Sequence, residues 1–173
     1  MKVKVVEYNI DWKKKFDEEA LKIKAILGDN LANVFHIGST SVEGLVAKDV
    51  IDIMPVVIDI NEVDKHNSAF EELGYEVMGE YGITGRRFFR KGKDDRTHHI
   101  HIFQYDNIGD IHRHLAFRDY LKEHHEVLLE YASLKMGLAK RYPNDIESYW
   151  QGKDSFIKET EKQALIWYWS RRE

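Results

Sequence analysis

Cysteine is absent from these 173 residues, which excludes a disulfide framework, thiol catalysis and any zinc site built on thiolates. The absence suits a reducing compartment, and a cytoplasmic location is expected. Long apolar runs are also missing: no stretch reaches the roughly 20 residues that span a bilayer, so no membrane partner is expected. Met1-Lys2-Val3-Lys4-Val5-Val6 is followed at once by Glu7 and Asp11, which does not read as a signal peptide. A large excess of either charge is lacking too. A formal balance of −4 argues against capture of nucleic acid by overall field while leaving room for a local basic pocket. Repeats, low-complexity segments and long linkers are lacking, so residues 1–173 are expected to form one domain. A chain of this size buries roughly 70% of its unfolded surface and needs no staples.

What is present is a mixed pattern. Residues 2–8 suit a short edge strand or an ordered arm. From Asp11 or Trp12, the spacing of Phe16, Ala20, Ile23 and Leu27 predicts a helix stopped by Gly28-Asp29-Asn30, with Asn9 or Asp11 as cap. Lys13, Lys14, Lys15, Glu18, Glu19, Lys22 and Lys24 should then face water. Strands are expected at 34–37 and 50–58, the second apolar on both faces as in a covered sheet centre. A helix over 62–73 should bury Val63, Phe70 and Leu73, and strands follow near 75–78, 86–90 and 97–103. Beyond Asp110, three helical segments break near His124 and at Pro143-Asn144, with Trp150, Phe156, Trp167, Tyr168 and Trp169 sealing them to the core. The product is an α+β fold: a mixed sheet of four or five strands, flanking helices and a helical carboxyl-terminal part. Strand order is not legible.

The chemistry concentrates around His36-Ile37-Gly38-Ser39-Thr40-Ser41 and the apolar run from Val50 to Val57. A glycine after a strand lets backbone approach phosphate closely, and Ser39 and Thr40 offer hydroxyls and amides to an anion. An ordinary tight turn is the competing reading. Asp52 lies inside the apolar run, and a buried charge needs a partner, a metal or a cleft. Asp49 should point to the opposite face, and Met54 occupies the position that would complete an Asp-x-Asp magnesium clamp. His99 and His101 share one strand face. Should their strand neighbour that of Asp52, the three side chains could hold a divalent cation better matched to zinc, manganese or iron, or act as acid and base. Lys48, Arg86, Arg87 and Arg113 are candidate phosphate contacts, because guanidinium forks match phosphate oxygens. Arg113 and His114 fall on the first turn of a helix for which Asp110 is the expected cap.

These residues also carry a resemblance. Glu7-Tyr8-Asn9, His36 to Val42, Gly44-Leu45, Ala47-Lys48, Ile51-Asp52-Ile53, Gly79 to Ile83, Gly85 to Phe89, Arg96 to His101, His114 to Leu121, Gly152-Lys153 and Phe156-Ile157 resemble the GrpB family of small bacterial proteins. Ile10 and Asp49 depart from it, standing where relatives commonly carry proline. The resemblance implies a nucleotidyltransferase-like fold, with Gly38 and Ser39 at the phosphate turn and Asp52 as first carboxylate. It also implies a link to nucleotide or coenzyme A metabolism through fusions to dephospho-coenzyme A kinase. The expected activity is metal-dependent nucleotidyl or phosphoryl transfer on a nucleotide or phosphorylated metabolite, with Asp52, His99 and His101 catalytic and metal-binding. The alternative is a non-catalytic nucleotide- or anion-binding module.

Overall fold

The computed structural model describes residues 2–171. Helix α1 (Asp11–Leu27) starts where the Asn9 side chain accepts from the Asp11 amide at 2.9 Å and stops at Gly28, whose φ is +56°. It buries Trp12, Ile23 and Leu27 against the sheet. Its lysines face water as expected. Glu19 does not. It is only 3% exposed, and its carboxylate accepts from Tyr75 Oη at 2.8 Å and Lys91 Nζ at 2.7 Å. Helical spacing could not reveal partners 56 and 72 residues away.

Strands β1 (Val5–Val6) and β3 (Ala47–Lys48) form a small antiparallel pair, so residues 2–8 do supply a short strand. The main sheet contains β2 (Leu31–Ile37), β4 (Ile51–Val57), β5 (Tyr75–Val77), β6 (Arg87–Lys91) and β7 (His98–Gln104) in the order β2-β4-β7-β6-β5. Only β4 and β7 run parallel; the other neighbours are antiparallel. β4 lies inside the sheet, which is why its residues are apolar on both faces. The helix expected at 62–73 is divided into α2 (Ile60–Val63) and α3 (Asn67–Glu72), joined by a tight turn at Asp64–His66. Asp64 meets Arg87 there.

Each face of the sheet carries its own core. Ile51, Ile53, Val57, Ile100 and Ile102 pack with α1 and Phe70, whereas Ile37, Met54, Val56 and Phe103 pack with Ile111 on the other face. Ile111 belongs to α4 (Ile108–Glu123), followed by α5 (His125–Arg141) and α6 (Ile146–Ser170), with breaks where the sequence placed them. Asn107, not Asp110, precedes α4, and Asp110 lies in its first turn, 3.5 Å from Arg113. Asp145 caps α6 by accepting from Ser148 N at 3.1 Å and Ser148 Oγ at 2.6 Å. Trp150 and Trp169 are more than half exposed, so these two rings do not seal the helices as expected. Among the described residues, no helix is long and apolar enough to cross a membrane.

Candidate functional site

Asp52 is the second residue of β4. The register sets it opposite Ile37, where β2 ends, and beside His99 on the parallel β7. Strand alternation then brings His101 to the same face. His101 Nε2 lies 3.1 Å and His99 Nδ1 3.5 Å from Asp52 Oδ1. Burial by itself would raise the Asp52 pKa, but the hydrogen bonds from His101 and His99 outweigh it and hold the carboxyl far below the usual range. Burial pushes the pKa of His101 down, with Asp52 opposing. The pair is therefore a carboxylate and a neutral imidazole.

The Gly38 turn closes over this carboxylate. Gly38 has φ +71° and ψ −176°, a backbone state reserved for glycine, and a Cβ there would lie 2.6 Å from Asp52 Oδ2. Thr40 Oγ1 is bonded to His36 Nε2 at 2.9 Å, which fixes the far side of the turn. Ser39 Oγ accepts from Lys135 Nζ at 2.6 Å, and Lys135 also donates to the Val46 carbonyl at 3.0 Å. Lys135 is 2% exposed, and burial, reinforced by Lys153 and Lys48, drives its pKa well below the lysine value. Burial likewise brings Lys153 to about 8 and lowers Lys48.

Ser39, Thr40, Lys48, Asp52, His99 and these two lysines line one cleft of about 270 Å³, with Tyr149 and Trp150 on its wall. Three amines thus face a single carboxylate. A larger cleft of about 470 Å³ shares Thr40, but there Asp17 and Glu43 face Lys13, Arg118 and Lys122, a smaller excess of positive charge than three lysines around Asp52.

Lys135 and Lys153 were not among the residues singled out from the sequence for chemistry, although a signal existed. Lys135 continues the buried stripe Leu128, Tyr131 and Ala132 of α5, and a lysine on an apolar stripe needs an explanation. Lys153 follows the buried Tyr149 by four and shares its helix face.

The arginines divide. Arg86, 7% exposed, donates to the Glu80 and Tyr81 carbonyls at 3.2 and 2.8 Å and lies 3.3 Å from His101 Nδ1. Arg87 points to the other face, where Asp64 holds its guanidinium at 2.8 Å, so its expected phosphate contact at this site is corrected. Alternation along β6 separates it from Arg90, which meets Glu76 and Tyr81. Arg113 is held by Asp110 and Glu161, each at 3.5 Å, beside His114. His114 is packed against His101, and burial pushes its pKa down to about 3. Asp49 lies between β3 and β4 and accepts from Trp12 Nε1 at 2.7 Å, away from Asp52.

Asp52, His99 and His101 each present a donor atom, all within 4.8 Å of one another. His99 Nε2 is buried without a hydrogen-bond partner. One carboxylate and two imidazoles fit a zinc-, manganese- or iron-type ion better than magnesium, and Met54, fully buried, adds no oxygen.

Residues 2–163 match the family model described as GrpB protein. The chain belongs to the GrpB family. It is 43% identical over 166 residues to the UPF0157 protein YqkA of Bacillus subtilis, covering 96% of this chain but only 48% of that relative's length. It is 36% identical to the glutamate-rich protein GrpB of Alkalihalophilus pseudofirmus, over 90% of this chain and 91% of the other. The crystal structure of a conserved GrpB protein from Enterococcus faecalis superposes with a TM-score of 0.94 at 49% identity, covering 96% and 99% of the two chains. A dephospho-CoA kinase of Mycolicibacterium paratuberculosis is 23% identical over 95% of this chain and 46% of the kinase. The GrpB fold is nucleotidyltransferase-like. The Cid1 poly(U) polymerase with Mg 3′-dATP bound has a TM-score of 0.55 at 17% identity, over 87% of this chain and 49% of the polymerase. At that identity the likeness concerns the fold alone.

Proposed function

We propose that this GrpB-family chain binds the phosphates of a nucleotide or phosphorylated metabolite in the Asp52 cleft and catalyses nucleotidyl or phosphoryl transfer there, assisted by a divalent cation. The observation that carries the reading is the meeting of three amines, Lys48, Lys135 and Lys153, with the Ser39 turn around one ionised carboxylate. In such a cleft a phosphate chain gains charge-assisted hydrogen bonds that water screens poorly. Ser39 and Lys135 would hold terminal oxygens, and Lys153 and Lys48 would oppose charge that develops as a bond breaks. Asp52, His99 and His101 would hold the cation, whose chemistry is to polarise phosphoryl oxygens. His99 would act as a general base only as an alternative to holding the cation, because a neutral imidazole has a single lone pair to give.

A second reading rests on Met54. The position that would supply a second carboxylate is instead a buried thioether in the apolar core, which favours a binding module without turnover. A thermal-shift screen of metal-stripped protein against nucleotides and divalent cations, alone and paired, separates the two. Transfer chemistry predicts a nucleotide shift that a divalent cation enlarges, the enlargement being lost in Asp52→Ala, together with product formation. Metal-independent shifts that survive Asp52→Ala, without turnover, select the binding module. Absence of any shift with well-folded protein contradicts both.

A further inference from the structure

Arginine can only donate hydrogen bonds, and this fixes the protonation pattern of His101. Arg86 Nη1 lies 3.3 Å from His101 Nδ1, so that nitrogen must be the acceptor. In a neutral imidazole the single hydrogen is then on Nε2, the nitrogen 3.1 Å from Asp52 Oδ1, to which it donates. His101 faces the carboxylate through Nε2, so it can reach a cation beside Asp52 only through that same atom. A metal-bound imidazole needs its lone pair at the metal and its hydrogen on the opposite nitrogen, normally given to a carboxylate, a carbonyl or water. Here the opposite nitrogen meets a guanidinium, which cannot accept it.

Arg86 is not free to move aside without loss. It is 7% exposed, its Nε and Nη2 donate to the carbonyls of Glu80 and Tyr81, and its guanidinium sits 4.7 Å from the Phe88 ring centroid. No carboxylate forms an ion pair with it among the described residues.

We propose that Arg86 is a lock on metal occupancy, holding His101 as a proton donor to Asp52 and so denying a cation the nitrogen it needs. The proposal rests on the reading that Asp52, His99 and His101 can bind a metal, and names the residue that restrains them from doing so. In the locked state the centre has one carboxylate bonded to an imidazole N–H, bordered by three lysines, and is set for an anion. Metal enters the triad once the Arg86 hydrogen bond is released, and Arg86 is a positioning residue acting through His101.

The test has two parts. Nitrogen-15 spectra of the histidine rings in metal-free native protein report the tautomer directly, and should show His101 with hydrogen on Nε2 and none on Nδ1. Cobalt(II), read by calorimetry and visible d–d absorption, then probes occupancy in native protein, Arg86→Gln and Arg86→Lys. Glutamine withdraws the guanidinium from Nδ1, leaving an Nδ1–H free to donate to water, and should tighten cobalt binding at least about tenfold. Lysine keeps a donor there and should behave like native. His101 carrying its hydrogen on Nδ1, or a folded Arg86→Gln protein that binds cobalt no more tightly than native, overturns the lock. Tight native binding with Nδ1–H leaves the metal reading standing. Absence of cobalt from all three proteins despite the Nε2–H tautomer removes the metal reading, and the lock with it. The native-protein spectra stand independently of whether either variant folds.

Discussion

Gly38 ties a backbone requirement to the chemistry of Asp52, because its φ of +71° with extended ψ excludes a side chain and its missing Cβ leaves room for Oδ2. Gly38→Ala should destabilise the protein by about 1–3 kcal/mol in urea unfolding and displace the carboxylate. Glu19 gives a pH prediction from the opposite face. Burial raises its pKa, but Lys91 and Tyr75 outweigh this and the net shift is downward from 4.5. A lowered carboxyl pKa contributes stability above the unfolded value and loses it as pH falls through the folded one. Thermal midpoints should therefore drop on acidification below about pH 4.5, with a shallower slope in Glu19→Gln. Lys153 works in the other direction. With its pKa brought to about 8 by burial, it carries charge below that pH and loses it above. Phosphate-ligand affinity should fall as pH rises through about 8 and lose that component in Lys153→Met, as calorimetry across the range would register.

At the scale of elements, α5 and α6 meet closely at Gly152, where an added Cβ would run into the end of the half-buried Leu138 side chain. Gly152→Ala should displace that side chain or ease the helices apart, lowering stability by about 1–3 kcal/mol and shifting Lys153 relative to Lys135. A loss of anion affinity alongside reduced thermal stability would register both effects. The alternation His98 to His101 was legible because a strand repeats every two residues, and it correctly paired His99 with His101 and opposed His98. That β7 lies beside β4 was not legible, since strand order depends on pairings 47 residues apart in the chain. The α5 lysine was legible in principle through its place on a buried stripe, whereas the burial of Glu19 required knowledge of β5 and β6.

For the whole molecule, the sign of the net charge and the sign of the site differ. The chain carries −4, yet the Asp52 cleft gathers three amines from β3, α5 and α6, elements spread from residue 47 to residue 170. Family and fold class were legible from motifs and patterning. The cationic cleft was not, because it is assembled only when the helical part closes over the sheet. The most direct measurement is calorimetric titration of the metal-free protein with inorganic triphosphate near neutral pH. Native protein and Lys24→Met, which alters an exposed lysine of α1, are compared with Lys135→Met. If the cleft is the phosphate site, native and Lys24→Met bind alike while Lys135→Met, folded by circular dichroism, weakens binding at least about tenfold, or 1.4 kcal/mol. Equal binding by all three proteins, or none by the native one, would contradict the account.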